Sequence, residues 1–153
     1  MAYIPWTRFE GDTEEAKWNG WENGPGASKG ELKTEGENGY WSGQVNMFNY
    51  EKVQPGLRKV FDFEPGTTLY FHFQYRIPSA PSEYFYMTIT DPDRLAANQI
   101  AVETTTPVNT WVKIQERLLY LPPKKEVWIG FTGSRHLSPF AIEFDNIYFG
   151  PKN

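Results

Sequence analysis

The sequence predicts an all-β domain built as a two-sheet antiparallel sandwich, with an up-and-down barrel as the lesser option. Three observations carry this reading. Thirteen glycines and twelve prolines interrupt the 153 residues, which leaves little room for a helix of about ten residues and suits short strands joined by turns. Eleven Phe, six Trp and nine Tyr stand in a chain whose mean hydropathy is -0.60, so many rings lie beside polar groups, as on a pleated surface with one wet face. Finally, Thr68–Ile77 and Tyr84–Thr90 alternate apolar and polar side chains with period two.

Residues 1–40 carry Gly11, Gly20, Gly24, Gly26, Gly30, Gly36 and Gly39 with few β-branched side chains, and read as long loops with a short strand at Lys29–Thr34. Gln44–Tyr50 reads as a strand, Gln54-Pro55-Gly56 as a turn and Leu57–Phe63 as a strand. Glu64-Pro65-Gly66-Thr67 is a turn with Pro at its second position and Gly at its third. In Thr68–Ile77 the core face is Leu69, Phe71, Phe73, Tyr75 and Ile77; in Tyr84–Thr90 it is Phe85, Met87 and Ile89. Asp91-Pro92-Asp93-Arg94 turns the chain, with one helical turn available if Asp91 caps it and Pro92 starts it. Strands follow at Gln99–Thr104, Trp111–Leu121, Val127–Thr132 and Phe140–Phe149. In the last of these Ile142 and Phe144 share a parity that Ile147 and Phe149 do not, which predicts a bulge near Asp145. The predicted core is Phe71, Phe73, Tyr75, Phe85, Met87, Ile89, Ile129, Phe131, Ile142 and Phe144, in a single domain over residues 1–153.

Composition excludes several functions. There is no cysteine, which removes disulfide frameworks, thiolate metal sites and cysteine nucleophiles together. Fifteen Lys and Arg against nineteen Asp and Glu leave a net charge of -4, so the polyelectrolyte attraction behind nucleic-acid binding has no overall source. No apolar run approaches the roughly 20 residues of a membrane helix, and the start lacks the basic and apolar regions of a signal peptide. Nucleic acid and membrane are therefore not expected partners.

Catalytic motifs fail in turn. Gly133-Ser134-Arg135-His136 lacks the spacing of a nucleophile elbow. His72 and His136 are the two imidazoles, and neither belongs to a zinc motif. Gly24–Gly30 is Gly-rich without the Lys-Ser/Thr end of a phosphate loop, and Asp91-Pro92-Asp93 has Leu95 where a calcium loop needs a third oxygen. No catalysis is expected, although nineteen acids leave a carboxylate pair for glycoside hydrolysis formally open.

Two features remain. Phe9-Glu10-Gly11-Asp12 near the start and Phe144-Asp145-Asn146-Ile147 near the end would bring Glu10, Asp12 and Asp145 together if the first and last strands are neighbours. Such an oxygen-rich set suits a structural Ca2+; the plain alternative is solvated charges at strand ends. The second feature is the polar face of the best strands: Tyr70, His72, Gln74 and Arg76, then Tyr84, Tyr86 and Thr88, with Trp128 and Thr132 in phase. Planar rings beside amide and guanidinium donors match a sugar, which offers a flat C–H face and several hydroxyls. On this reading Tyr84, Tyr86 and Trp128 stack on an oligo- or polysaccharide while His72, Gln74 and Arg76 bond its hydroxyls, and Trp41 is the alternative platform. The competing reading is an ordinary sheet surface or a face buried between subunits.

Taken in order, Phe9-Glu10-Gly11 with Trp18 and Trp21, Trp41-Ser42-Gly43, Glu64-Pro65-Gly66-Thr67 before Tyr70 and Phe71, Thr110-Trp111, and Phe144-Asp145-Asn146-Ile147 resemble the jelly-roll carbohydrate-binding modules with a galactose-binding-domain-like fold, such as families four, nine and twenty-two. The resemblance implies a non-catalytic, lectin-like sandwich with a structural calcium on Glu10 and Asp145. The chain departs from the family pattern at Pro5-Trp6-Thr7-Arg8, which replaces an apolar-Asn lead, and in its longer segment 13–40. Without a signal peptide, the expected setting is either extracellular by another route or a bacteriophage virion, where the aromatic face would serve homo-oligomer or virion-subunit contacts.

Overall fold

The computed structural model describes residues 5–62, 68–93, 97–119 and 125–152. Its strands are β1 (Trp6–Thr7), β2 (Glu22–Asn23), β3 (Ala27–Glu35), β4 (Asn38–Val45), β5 (Gln54–Phe61), β6 (Leu69–Arg76), β7 (Phe85–Thr90), β8 (Ala97–Val102), β9 (Val112–Lys113), β10 (Arg117–Leu119), β11 (Lys125–Gly133) and β12 (Phe140–Gly150). One sheet runs β10-β6-β12-β4-β3, with β1 added to β12 and β9 to β6; the other runs β2-β5-β11-β7-β8. Every pairing is antiparallel. This is the predicted sandwich, and the barrel is set aside.

Period two dictates the core. Along β6 buried and half-buried residues alternate without a break, and all ten predicted core residues are buried. Rings tie the sheets together. Phe144 of β12 stacks on Phe131 of β11 with centroids 6.1 Å apart, and Phe149 meets Phe61 of β5 at 5.3 Å. Trp41, expected to be a platform at a strand entrance, is instead fully buried and stacked on Phe144 at 5.5 Å, its indole N–H donating to Asn23. The predicted bulge is present: the β12–β6 register shifts between Asp145 and Tyr148, where Asn146 adopts φ +48°.

Four local expectations change. Gln54-Pro55-Gly56 is the start of β5 and not a turn; Pro55 faces Gly130 next to the register shift after Ile129, the kind of irregularity that tolerates a residue without an N–H. Strand character after Gln44 stops at Val45, because the chain leaves the sheet to place Phe48 in the core, its N–H held by Ser138 Oγ at 2.8 Å. Trp111–Leu121 breaks into β9 and β10, since Ile114 and Leu119 have opposite parity and both are buried. Within residues 1–40 a short helix, α1 (Glu14–Trp18), appears, capped by the Thr13 hydroxyl, with Glu14 and Glu15 in its first turn and Asn19 in the left-handed conformation at its end. At Asp91-Pro92-Asp93 the chain turns; Arg94, and with it the helical turn, lies outside the described residues, as does the expected turn at 64–67.

Candidate functional site

Strand parity placed the side chains correctly as inward or outward, but the strands do not share a sheet. β6 belongs to the seven-stranded sheet, whereas β7 and β11 belong to the five-stranded one. His72, Gln74 and Arg76 therefore face out on one side of the sandwich, and Tyr86 and Trp128 on the other, with the core between. The single ligand face expected from sequence is two faces.

On the seven-stranded side Arg76, Gln74 and His72 each make contacts within the sheet. Arg76 lies between the rings of Tyr40 and Trp111, 5.0 and 4.6 Å from their centroids, and bonds Glu143 and Glu35. Those carboxylates raise the guanidinium's pKa further. Gln74 accepts from the Asn146 amide at 2.8 Å. His72 stacks on Tyr148 and meets Trp6 edge-on, each at 5.1 Å, and burial in this stack lowers its imidazole pKa. These contacts lie on the outer face of the seven-stranded sheet, so His72, Gln74 and Arg76 do not join Tyr84, Tyr86 and Trp128 around one ligand.

On the five-stranded side the middle of the face is covered, with Thr88, Thr90 and Thr132 at 2%, 0% and 7% exposure, and the rings lie toward its ends. Trp128 of β11 is flanked by Arg58 of β5 and Thr90 of β7, while Thr132 faces Tyr86. Val53 lies over Gly130, where a Cβ would come within 2.4 Å of its Cγ1, and so divides the Trp128 end from the Tyr86 end. At that second end Tyr84 and Tyr86 meet edge to face at 5.6 Å. Tyr50, 57% exposed, lies beside Tyr84, which is 48% exposed. Arg58 Nε approaches Glu22 and Glu126 at 3.4 and 3.9 Å, and Val60 beyond it is 61% exposed. Beneath the surface, Trp128 Nε1 and Thr88 Oγ1 have no hydrogen-bond partner among the described residues. Sequence reasoning missed Tyr50 and Arg58; the outward parity of Arg58 and Val60 in 57–63 was the available signal for Arg58, while Tyr50 sits in a segment wrongly read as strand.

The carboxylates behave differently. β1 pairs with β12 through Trp6–Tyr148 and Thr7–Ile147, and a left-handed Phe9 at φ +55° turns the chain, so that Glu10 acts electrostatically on Asp145. Asp145 is buried, 1% exposed, and accepts the Asn146 N–H at 2.7 Å. Burial first, then repulsion from Glu10, push its carboxyl up to about 6, against hydrogen bonds from Asn146 and Asn38 and the charge of Arg8. Glu10 accepts the Gly39 N–H at 3.2 Å. Asp12 is exposed ahead of α1, and among the described residues no three His, Asp or Glu groups gather; the three-carboxylate set is corrected to a pair. Glu10 and Asp145 supply carboxylate oxygens, and their mutual repulsion is what a cation bound between them would relieve, while Asn38 turns its amide N–H toward Asp145; two carboxylates are part of the six to eight oxygens that a Ca2+ takes.

No family model and no curated protein match the sequence. Solved structures do match its fold. The chain is similar to the C-terminal family 22 carbohydrate binding module of Clostridium thermocellum Xyn10B at 17% identity and TM-score 0.59, covering 97% of this chain and 94% of that one. It is similar at 12% identity and TM-score 0.55 to the family 11 carbohydrate-binding module from Clostridium thermocellum, in complex with a β-1,3-1,4-mixed-linked tetrasaccharide, covering 98% of each. An arabinose-bound α-L-arabinofuranosidase matches at 14% identity and TM-score 0.58 over 97% of this chain, which spans 26% of that enzyme. The sandwich is thus the jelly roll of carbohydrate-binding modules, as the motif resemblance implied.

Proposed function

We propose that the protein binds glycans without catalysis, through the outer face of the five-stranded sheet. Trp128, Tyr86 and Tyr84 are the stacking platforms, and Arg58 with Glu22 and Glu126 supplies donors and acceptors for hydroxyls. The observation that carries this is the grouping of half-buried and exposed rings with a guanidinium and two carboxylates on one sheet face. Thr90 and Tyr86 are four residues apart on β7, about 13 Å, so the Trp128 and Tyr86 ends suit a chain of several sugar rings better than a monosaccharide. The carbohydrate-binding modules that share the fold support the same class of ligand. In this reading a Ca2+ on Glu10 and Asp145 would tie the segment after β1 to β12 and take no part in binding sugar.

Tyr50, Val60 and Tyr84 are each large and exposed, and that favours one competing reading, in which this face packs on another subunit of an oligomer or particle. A glycan array followed by titration calorimetry of Trp128→Ala and Tyr86→Ala, with solution mass measured in parallel, decides between them. Glycan binding predicts a monomer whose sugar affinity falls by about 1–3 kcal/mol in each variant, the range known for ring stacking on bases. A sugar-silent oligomer that dissociates in the same variants overturns it.

A further inference from the structure

The opposite face carries a second, separate recess. On the seven-stranded sheet Trp6, Arg8, His72, Gln74, Lys113 and Asn146 line a depression of about 250 Å³, below the roughly 300–1,000 Å³ of pockets for larger ligands. It is the size of a single ring or a terminal group. Its chemistry is lopsided. Arg8 and Lys113 form no ion pair within 4 Å among the described residues, and no carboxylate lines the recess. Because Gln74 uses its carbonyl to accept from Asn146, its amide N–H groups remain as donors. The acceptors left are few: the Asn146 carbonyl and one imidazole nitrogen.

The donors are also held in place. Arg8 lies 4.7 Å over the Trp6 ring, and Trp6 in turn packs edge-on against His72 and Tyr148, each at 5.1 Å. A guanidinium fixed on an aromatic face loses less freedom when it grips a planar anion. Arg8 also acts on Asp145, and Glu116 on His72, but neither acid lines the recess. In a chain of net charge -4 its lining thus carries two cations and one flat apolar wall, a match for an anionic ring.

We infer that this depression binds the carboxylate of a uronic acid, with Arg8 and Lys113 on the carboxylate, the Gln74 amide on a neighbouring hydroxyl, and Trp6 against the sugar ring. The site is independent of the one on the five-stranded sheet and stands whether or not that reading holds.

The test is a titration of 15N-labelled protein followed by NMR with sodium glucuronate, glucose or sodium sulfate, on wild type, Arg8→Ala, Lys113→Ala and Trp128→Ala. Glucuronate is expected to shift the Trp6 indole and the Gln74 and Asn146 side-chain amide signals, with glucose silent at the same concentration. Arg8→Ala and Lys113→Ala should each weaken glucuronate about tenfold, the scale of one lost charge-assisted hydrogen bond. Trp128→Ala should leave glucuronate binding unchanged. Both cations are exposed, so the variants fold, and unchanged backbone spectra verify it. Equal affinity for glucose, equal affinity for sulfate, or full retention of binding in both cation variants overturns the inference.

Discussion

Arg76 and Glu143 lie directly opposite each other on β6 and β12, and the guanidinium Nε donates to the carboxylate at 2.5 Å. Both side chains are nearly withdrawn from water, 12% and 13% exposed, so removing one leaves the other as a desolvated charge. Arg76→Ala should therefore lower the unfolding free energy by about 2–3 kcal/mol, while leaving affinity for any sugar bound on the five-stranded sheet unchanged. Urea denaturation and calorimetry measure the two effects. A loss below about 0.5 kcal/mol would class the pair with screened surface ion pairs.

Phe73 is 1% exposed and meets Phe144 edge-on at 5.5 Å in the middle of the sandwich. Phe73→Ala should cost about 3–5 kcal/mol through lost burial and the cavity left behind. The same denaturation experiment reports it, and a cost under about 1 kcal/mol contradicts the packing.

Calcium should raise the thermal midpoint over that in chelator, since an ion that binds only the native state stabilises it by about 2.7 kcal/mol at one hundred times its dissociation constant. Asp145→Asn, which keeps an oxygen for the Asn146 N–H but removes the repulsion from Glu10, should abolish the calcium response and be no less stable than wild type in chelator. An unchanged wild-type midpoint at saturating calcium removes the ion from the account.

Lys59 is 8% exposed on β5, its Nζ 4.9 Å from the centre of the Phe61 ring. Burial lowers its pKa to about 8 from an unfolded value of 10.5. Between these values the folded state binds fewer protons than the unfolded, so this residue's contribution to stability rises with pH across that window, and its penalty is full below it. Lys59→Met should be more stable than wild type at neutral pH by about 1–3 kcal/mol, with the gap closing as pH nears 10.5. A gap that stays constant between pH 8 and 10.5 would show that the amine is not the cause.

Period two was enough to place Phe71, Met87 and Ile142 in the core, because burial on one face of a strand leaves a local record in the sequence. Parity also exposed the bulge at Asp145. What parity cannot encode is strand adjacency. Tyr86 and Gln74 have equivalent patterns, yet the link between β6 and β7 crosses from one sheet to the other, and no local signal marks that step. Trp41 was misplaced for a related reason: its depth comes from Phe144, more than a hundred residues away in the chain. The Glu10–Asp145 approach was legible, since it needed only that the first and last strands be neighbours. Helix α1 carried a readable cap in Thr13 and an acidic first turn, but its five residues were too few to show periodicity among the glycines.

The pairing of β1 with β12 sets how the molecule responds to tension. Residue 5 lies beside residue 149, with the Phe149 N–H donating to the Pro5 carbonyl at 3.1 Å, and the strands run antiparallel. A pull that separates these two positions loads the bonds one after another, as a zipper opens, instead of shearing them together. The two-residue β1 yields first, withdrawing Trp6 and Arg8 from the recess and Glu10 from Asp145. The aromatic face of the five-stranded sheet contains nothing from β1 and outlasts that step, so mechanical load would silence the two proposed sites in sequence.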